Sequence, residues 1–203
     1  MGRVVMSIDP DIFTVSNVFA PEECRSLISR AEDSGFVAAS VRTSQGRQMM
    51  TQLRNNDRIE LNDPELSAEL WNRIAPFLPI LDGHYPTGVD DQLRFYRYTA
   101  SQQFKRHKDG VVTNDRGETS RLSYLVYLND DCEGGETAFR EFRNSNGTPE
   151  KVEYIVSPST GTALLFRHER WHEGCPVTSG IKYVLRTDVF YSKETAATSQ
   201  SRQ

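Results

Sequence analysis

From Gln92 onward the chain breaks into short apolar and aromatic runs separated by glycine- and proline-bearing turns, and this rhythm restricts the folds open to it. Residues 93–98, 122–128, 137–142, 152–156, 162–166 and 183–191 read as strands. Gly134-Gly135, Asn146-Gly147, Pro158 to Gly161 and Gly174 to Gly180 punctuate them. Runs this short with turns this frequent predict antiparallel pairing in a sandwich or jelly roll, not a parallel sheet alternating with helices. The first third reads differently. Pro21 opens a helix with Cys24, Leu27, Ile28 and Ala31 on one face and Gly35 as its stop. Asp63-Pro64 opens a second, with Leu66, Leu70, Trp71 and Ile74 as its apolar stripe. Both stripes need a surface to cover, and a sheet is the most economical one.

At 203 residues the chain suits one domain, so helices and strands must share a core. No apolar run approaches the ~20 residues of a spanning helix, and residues 1–9 lack the long apolar core of a secretion signal. A net charge of -4 argues against nucleic acid or an anionic membrane as partner. Cys24, Cys132 and Cys175 are odd in number and widely spaced, which fits neither a disulfide framework nor a zinc ribbon; a reducing, cytoplasmic compartment is expected. Residues 41–58 are polar and hold Arg42, Arg47, Arg54 and Arg58; composition alone reads them as a solvated loop.

Two metal readings compete for His172. His168-Glu169-Arg170-Trp171-His172 spells H-E-x-x-H, a zinc hydrolase pattern whose histidines face one metal only if they lie on a helix. The surroundings oppose a helix, because 161–166 reads as a buried strand and Gly174 and Pro176 would end a helix at once. The other reading pairs His172 with His107 and Asp109. Two residues apart in a strand, His107 and Asp109 would present imidazole and carboxylate to one metal. Two histidines and one carboxylate suit Fe(II) and leave positions open for a chelating co-substrate and dioxygen. Ten residues after His172, Lys182 begins a strand on which Val184, Arg186 and Asp188 share its face. A lysine facing the metal needs an anion, which the distal carboxylate of 2-oxoglutarate would supply; the alternative is an exposed lysine at a strand start.

With these residues in view, 93–191 resembles the Fe(II)/2-oxoglutarate-dependent dioxygenases, in their prolyl 4-hydroxylase-like branch. Leu93-Arg-Phe-Tyr-Arg-Tyr98 with Phe104, His107 and Asp109 is similar to that branch's Tyr…Tyr-x-x-His-x-Asp segment. Phe104 stands in place of the second tyrosine, and Ala100 to Gln103 in place of the usual glycines. Tyr127-Leu-Asn-Asp130 with Gly134-Gly-Glu-Thr-Ala-Phe139 resembles its strand-and-GGxT-x-F element, and His172 to Val177 with Gly180-Ile-Lys182 its second-histidine and lysine element. Val41-Arg-Thr-Ser-Gln-Gly46 resembles its flap.

The resemblance implies a mainly β fold, a double-stranded β-helix (jelly roll, cupin-like) buttressed by N-terminal α-helices. One domain would span 1–192, with the buttress mainly at 20–80 and the jelly-roll core mainly at 92–191; a polar tail, 193–203, would be disordered. It implies His107, Asp109 and His172 as ligands of a catalytic Fe(II). It also implies Lys182 as the partner of the 2-oxoglutarate C5 carboxylate, with Tyr98 and Thr137 as hydroxyl donors. Tyr98 as a core tyrosine and Thr137 as a plain strand former stay open. Arg54, Arg58 and Arg186 are candidates for substrate contact, Arg186 equally for a salt bridge; His168 reads as structural and His84 as a surface residue. A carboxylate at 109 favours hydroxylation over halogenation, which needs that position free. The implied activity is hydroxylation of an unactivated C–H bond, most readily of a peptidyl proline, with 2-oxoglutarate and O2 giving succinate and CO2 and with ascorbate as reductant. A free amino acid or small natural product as substrate, a zinc hydrolase and a non-catalytic jelly-roll module are the competing readings.

Overall fold

A computed structural model describes residues 2–39, 41–43, 46–48, 52–145 and 147–193, without side chains for 41–43, 46–48 and 143–145. Most of the predicted tail and much of the predicted flap lie outside the described residues. In chain order the main elements are β1 (Val4–Asp9), β2 (Ile12–Ser16), α1 (Pro21–Ser34), β3 (Asp57–Asn62), α2 (Pro64–Ile74), β4 (Tyr85–Val89), β5 (Gln92–Tyr98) and β6 (Phe104–His107). Then follow β7 (Thr119–Tyr127), β8 (Thr137–Ser145), β9 (Thr148–Val156), β10 (Ala163–Arg167), β11 (His172–Gly174) and β12 (Lys182–Ser192).

Every strand pairing among them is antiparallel. The major sheet runs β1-β2-β10-β7-β12-β5-β3, with β4 also on β12; the minor sheet runs β9-β8-β11-β6. This is the jelly roll expected from the sequence, and all six predicted strands are present. The outer face of the major sheet takes the helices. Phe95, Leu122, Tyr124, Val126, Leu165 and Leu185 meet Cys24, Ala31, Leu66, Leu70 and Ile74 in one buried cluster. The inner face meets the minor sheet through a second cluster that includes Tyr96, Tyr98, Tyr127, Phe139, Phe166 and Val184. The site lies at the open end of this second core.

Both helices start as their sequences predict. The Asp63 carboxylate accepts the Leu66 N–H at 3.0 Å, and Pro64 occupies the first turn, where no N–H is needed. Pro21 opens α1, and the Glu23 carboxylate accepts the Ala20 N–H at 2.7 Å. Arg73 of α2 then donates to Glu23 and to the Val18 carbonyl, tying the helices together. Gly35 ends α1 with φ of 81°, a conformation that favours glycine.

Two expectations need correction. Residues 57 and 58, read as loop, belong to β3 and pair with β5, because Ile59 and Leu61 alternate with polar neighbours and face the helix-side core. Asp109 is not in a strand: β6 ends at His107, and the Asp109 N–H donates to the His168 carbonyl at 3.1 Å.

Candidate active site

The site is built by cross-strand register. On the minor sheet, His172 of β11 stands directly opposite His107 of β6 and Phe139 of β8. Their rings sit with centroids 4.2 Å apart for the two histidines, and Phe166 closes on His172 from the major sheet at 4.5 Å. Asp109, just past β6, brings its carboxylate between them. Its oxygens lie 3.6 Å from His107 Nε2 and 3.5 Å from His172 Nε2, and one ligand atom from each residue falls within 4.8 Å of the others. The three predicted residues therefore converge, although the expected strand geometry at Asp109 does not hold.

The surroundings of the triad prepare it for a cation. His107 Nδ1 lies 2.8 Å from the Lys105 carbonyl and His172 Nδ1 2.9 Å from the Arg170 carbonyl. Each carbonyl takes the Nδ1 proton and leaves Nε2 bare toward Asp109. Burial pushes the His172 imidazole down to about 4, so it is neutral at physiological pH. Burial alone would raise the Asp109 carboxyl, but the Arg186 guanidinium and the two imidazoles hold it well below its ordinary value. Arg186 Nη1 donates to Asp109 Oδ1 at 2.9 Å and Ser123 Oγ to Oδ2 at 2.5 Å, so the carboxylate is held from both sides.

His168 takes no part in this set. Its ring contacts Ser123 Oγ and Ser120 Oγ, each at 2.9 Å, and Ser123 links it to Asp109. Residues 168–171 form a turn before β11, not a helix. The H-E-x-x-H geometry does not arise, and the structural reading of His168 fits. His84, expected at the surface, is half-buried, with its ring 3.0 Å from Arg121 Nη2.

The opposite wall of the same cavity belongs to Lys182, Tyr98 and Thr137. Lys182 faces Tyr98 across the β12–β5 ladder and is 3% exposed. Its ammonium donates to the Gly135 carbonyl and lies 5.3 Å and 5.4 Å from the Tyr98 and Tyr127 ring centres. No carboxylate pairs with it among the described residues, and burial pushes it down to about 8. Gly135 has φ of 70°, and a Cβ there would stand 3.0 Å from Lys182 Cδ, so the second glycine of Gly134-Gly135 gives the lysine its path. Tyr127, which the sequence reading quoted only within a motif, donates to Thr137 Oγ1 at 2.8 Å beneath this lysine.

Two histidines with a carboxylate suit a ferrous ion, and a lone buried ammonium beside hydroxyls suits the far carboxylate of a dicarboxylate chelated there. The residues present thus fit both groups. Arg186 spans Asp109 and Asp188 and is a scaffold cation. Arg58 lies 3.3 Å from Glu60, in a polar groove beside Asp109. Arg54 is buried and stacked between Tyr96 and Phe104.

Residues 93–187 match the 2OG-Fe(II) oxygenase superfamily. A probable prolyl 4-hydroxylase 8 of Arabidopsis thaliana is 30% identical over 202 residues, covering 88% of this chain and 68% of that protein. The chain belongs to this superfamily, in its prolyl 4-hydroxylase-like branch. It is a 2OG- and Fe(II)-dependent dioxygenase, and its cofactors follow from membership: Fe(II), 2-oxoglutarate and O2. Solved structures of the branch share the fold. A viral collagen prolyl hydroxylase from Paramecium Bursaria Chlorella virus-1, as a 2OG complex, superposes with a TM-score of 0.61 at 20% identity, covering 88% of this chain and 95% of that one. A Trichoplax adhaerens prolyl hydroxylase in complex with a hypoxia inducible factor peptide fragment reaches 0.67 at 18% identity, covering 89% and 83%.

Proposed function

We propose that this oxygenase hydroxylates a prolyl residue of a peptide or protein, converting 2-oxoglutarate and O2 to succinate and CO2. The observation that carries the reading is one cavity holding the His107–Asp109–His172 triad at one wall and the unpaired Lys182 at the other. The prolyl specificity rests on the relatives, named as prolyl 4-hydroxylases along most of this chain.

In this reading His107, Asp109 and His172 would hold Fe(II), which would supply electrons to activate O2, the oxidant, for attack on a C–H bond. The chain's own contributions are positional and electrostatic. The Lys105 and Arg170 carbonyls orient the two histidine rings through Nδ1, and Ser123 and Arg186 each hold one Asp109 oxygen in place. Lys182 anchors the co-substrate by its distal carboxylate, with the Tyr98 and Thr137 hydroxyls beside it. Phe139 and Phe166 pack on the His172 ring and shield it from water. Ascorbate serves as reductant, and three free cysteines suit a reducing compartment such as the cytoplasm.

Purified protein with Fe(II), 2-oxoglutarate and a panel of prolyl peptides tests this by succinate release and by gain of one oxygen atom in the peptide. Asp109→Ala and His172→Ala should abolish both and lose metal, whereas His168→Ala keeps the metal. Turnover that persists in His172→Ala, or peptides that never gain oxygen, would sink it.

A further inference from the structure

Arg58, Arg94 and Arg186 line one polar groove next to Asp109, and all three are neutralised within the fold. Arg186 spans Asp109 and Asp188, Arg94 reaches Asp188 at 3.0 Å, and Arg58 has Glu60. A fourth arginine on this side, Arg54, is treated differently. It is 5% exposed, and its guanidinium carbon lies 4.4 Å from the Tyr96 ring centre and 4.5 Å from that of Phe104. Nε donates to Asn56 Oδ1 at 2.7 Å, while Nη2 is buried without any hydrogen-bond partner. Arg54 makes no ion pair among the described residues, and residues 40–51, which precede it, contain no Asp or Glu. Both rings that hold it also line the cavity of the metal triad.

A buried guanidinium without a counter-ion is costly, and folds seldom keep one unless an anion completes it. The aromatic sandwich fixes the plane of the fork, which is the geometry a carboxylate meets bidentately. Lys182, which lines that cavity, is likewise a buried cation with no acid partner among the described residues, whereas Arg54 stands behind the cavity's Tyr96 and Phe104 rings. Lys182 is suited to the co-substrate; Arg54 packs on Phe104, whose ring in turn stacks on His107 with centroids 3.5 Å apart.

We propose that Arg54 binds a carboxylate of the primary substrate, so that the molecule hydroxylated carries an acid group close to its target carbon. That group is either a free α-carboxylate or an acidic side chain next to the target residue. The inference rests on the prolyl hydroxylase reading and narrows its substrate class.

Two isosteric pairs test it: N-acetyl-L-proline against N-acetyl-L-prolinamide, and Ac-Ala-Pro-Glu-Ala-NH2 against Ac-Ala-Pro-Gln-Ala-NH2. Each is titrated calorimetrically into protein loaded with Mn(II) and 2-oxoglutarate, and assayed separately with Fe(II) for oxygen gain. The acid should bind about tenfold tighter than its amide in at least one pair, the worth of a charged hydrogen-bonded contact. Preference within the first pair marks a free carboxylate, and within the second an acidic peptide. Arg54→Gln should erase the preference and leave 2-oxoglutarate affinity unchanged. Equal or undetectable binding of acid and amide in both pairs overturns the proposal. So does a preference that survives Arg54→Gln, or a loss of 2-oxoglutarate affinity in that variant. If acids bind preferentially but no probe gains oxygen, the prolyl reading fails and the role of Arg54 stands.

Discussion

Lys182 and Arg186 sit four residues apart on the same face of β12, both turned into the same cavity, yet the fold treats their charges in opposite ways. Arg186 is held by Asp109 at 2.9 Å and Asp188 at 3.2 Å, and Asp188 is held in turn by Arg94. Burial would lower its affinity for a proton, but these carboxylates raise it well above the ordinary value, so it stays charged throughout. Among the described residues Lys182 has one carbonyl partner and no acid, and burial pushes it down to about 8. A buried cation that is already paired is part of the frame that presents a metal ligand. One left unpaired is a receptor, stable only when its anion arrives.

Replacement of each should therefore fail differently. Lys182→Met removes the receptor charge and should cut 2-oxoglutarate affinity by roughly 10²–10³-fold, the cost of leaving a buried carboxylate unmatched. Its thermal midpoint should hold or rise. Among the described residues Arg186→Met leaves Asp109 with Ser123 but no cation partner, and Asp188 with Arg94 alone, and should destabilise the metal-free protein by about 3 kcal/mol, a fall of roughly 5–10 °C. Adding Mn(II) should restore part of that loss, since the metal gives Asp109 another counter-charge. Calorimetry and thermal melts with and without metal check both variants. Equal destabilisation by the two would erase the distinction between frame and receptor.

That distinction was only half legible in the sequence. The alternation along β12 put Lys182, Val184, Arg186 and Asp188 on one face, and the turn residues from Gly134 onward marked the strands well enough to yield the jelly roll. The triad was legible because each residue carries its own chemistry wherever the backbone bends; Asp109 reaches the site from a turn and not from the strand expected of it. Pairing was not legible, because it depends on register. Nothing in the order of residues says that Asp109 will accept from Arg186 and Ser123, or that Tyr127 will stand beneath Lys182. The edges were missed for another reason. β3 mixes Asp57, Arg58 and Glu60 with Ile59 and Leu61 and shows no apolar run, while the short apolar run of β1, Val4 to Met6, is exposed at the sheet edge and marks no buried strand. Arg54 looked like a solvated loop residue because a polar segment hides a buried guanidinium when its two walls, Tyr96 and Phe104, lie more than 40 residues downstream.

The mildest way to probe the contrast is pH, which reaches Lys182 and leaves Arg186 charged. Lys182 should lose its proton near 8 in the free protein, against an ordinary value of 10.5. Because the folded state holds this proton less tightly than the unfolded chain, the lysine penalises folding below about pH 8. That penalty, at most about 3 kcal/mol, fades as pH rises from 8 toward 10.5. Co-substrate affinity must run the other way, since the dicarboxylate needs the ammonium. It should be level below pH 7 and fall about tenfold by pH 9, as each binding event has to restore the missing proton. Calorimetry in buffers of different ionisation heat measures this directly: proton uptake per 2-oxoglutarate near zero at pH 7, approaching one at pH 9. Lys182→Met should show neither trend, which separates this group from the tyrosines and cysteines titrating nearby. Uptake that stays at zero through pH 9 would mean that Lys182 is already paired in the free enzyme, and that the two cations of β12 are alike after all.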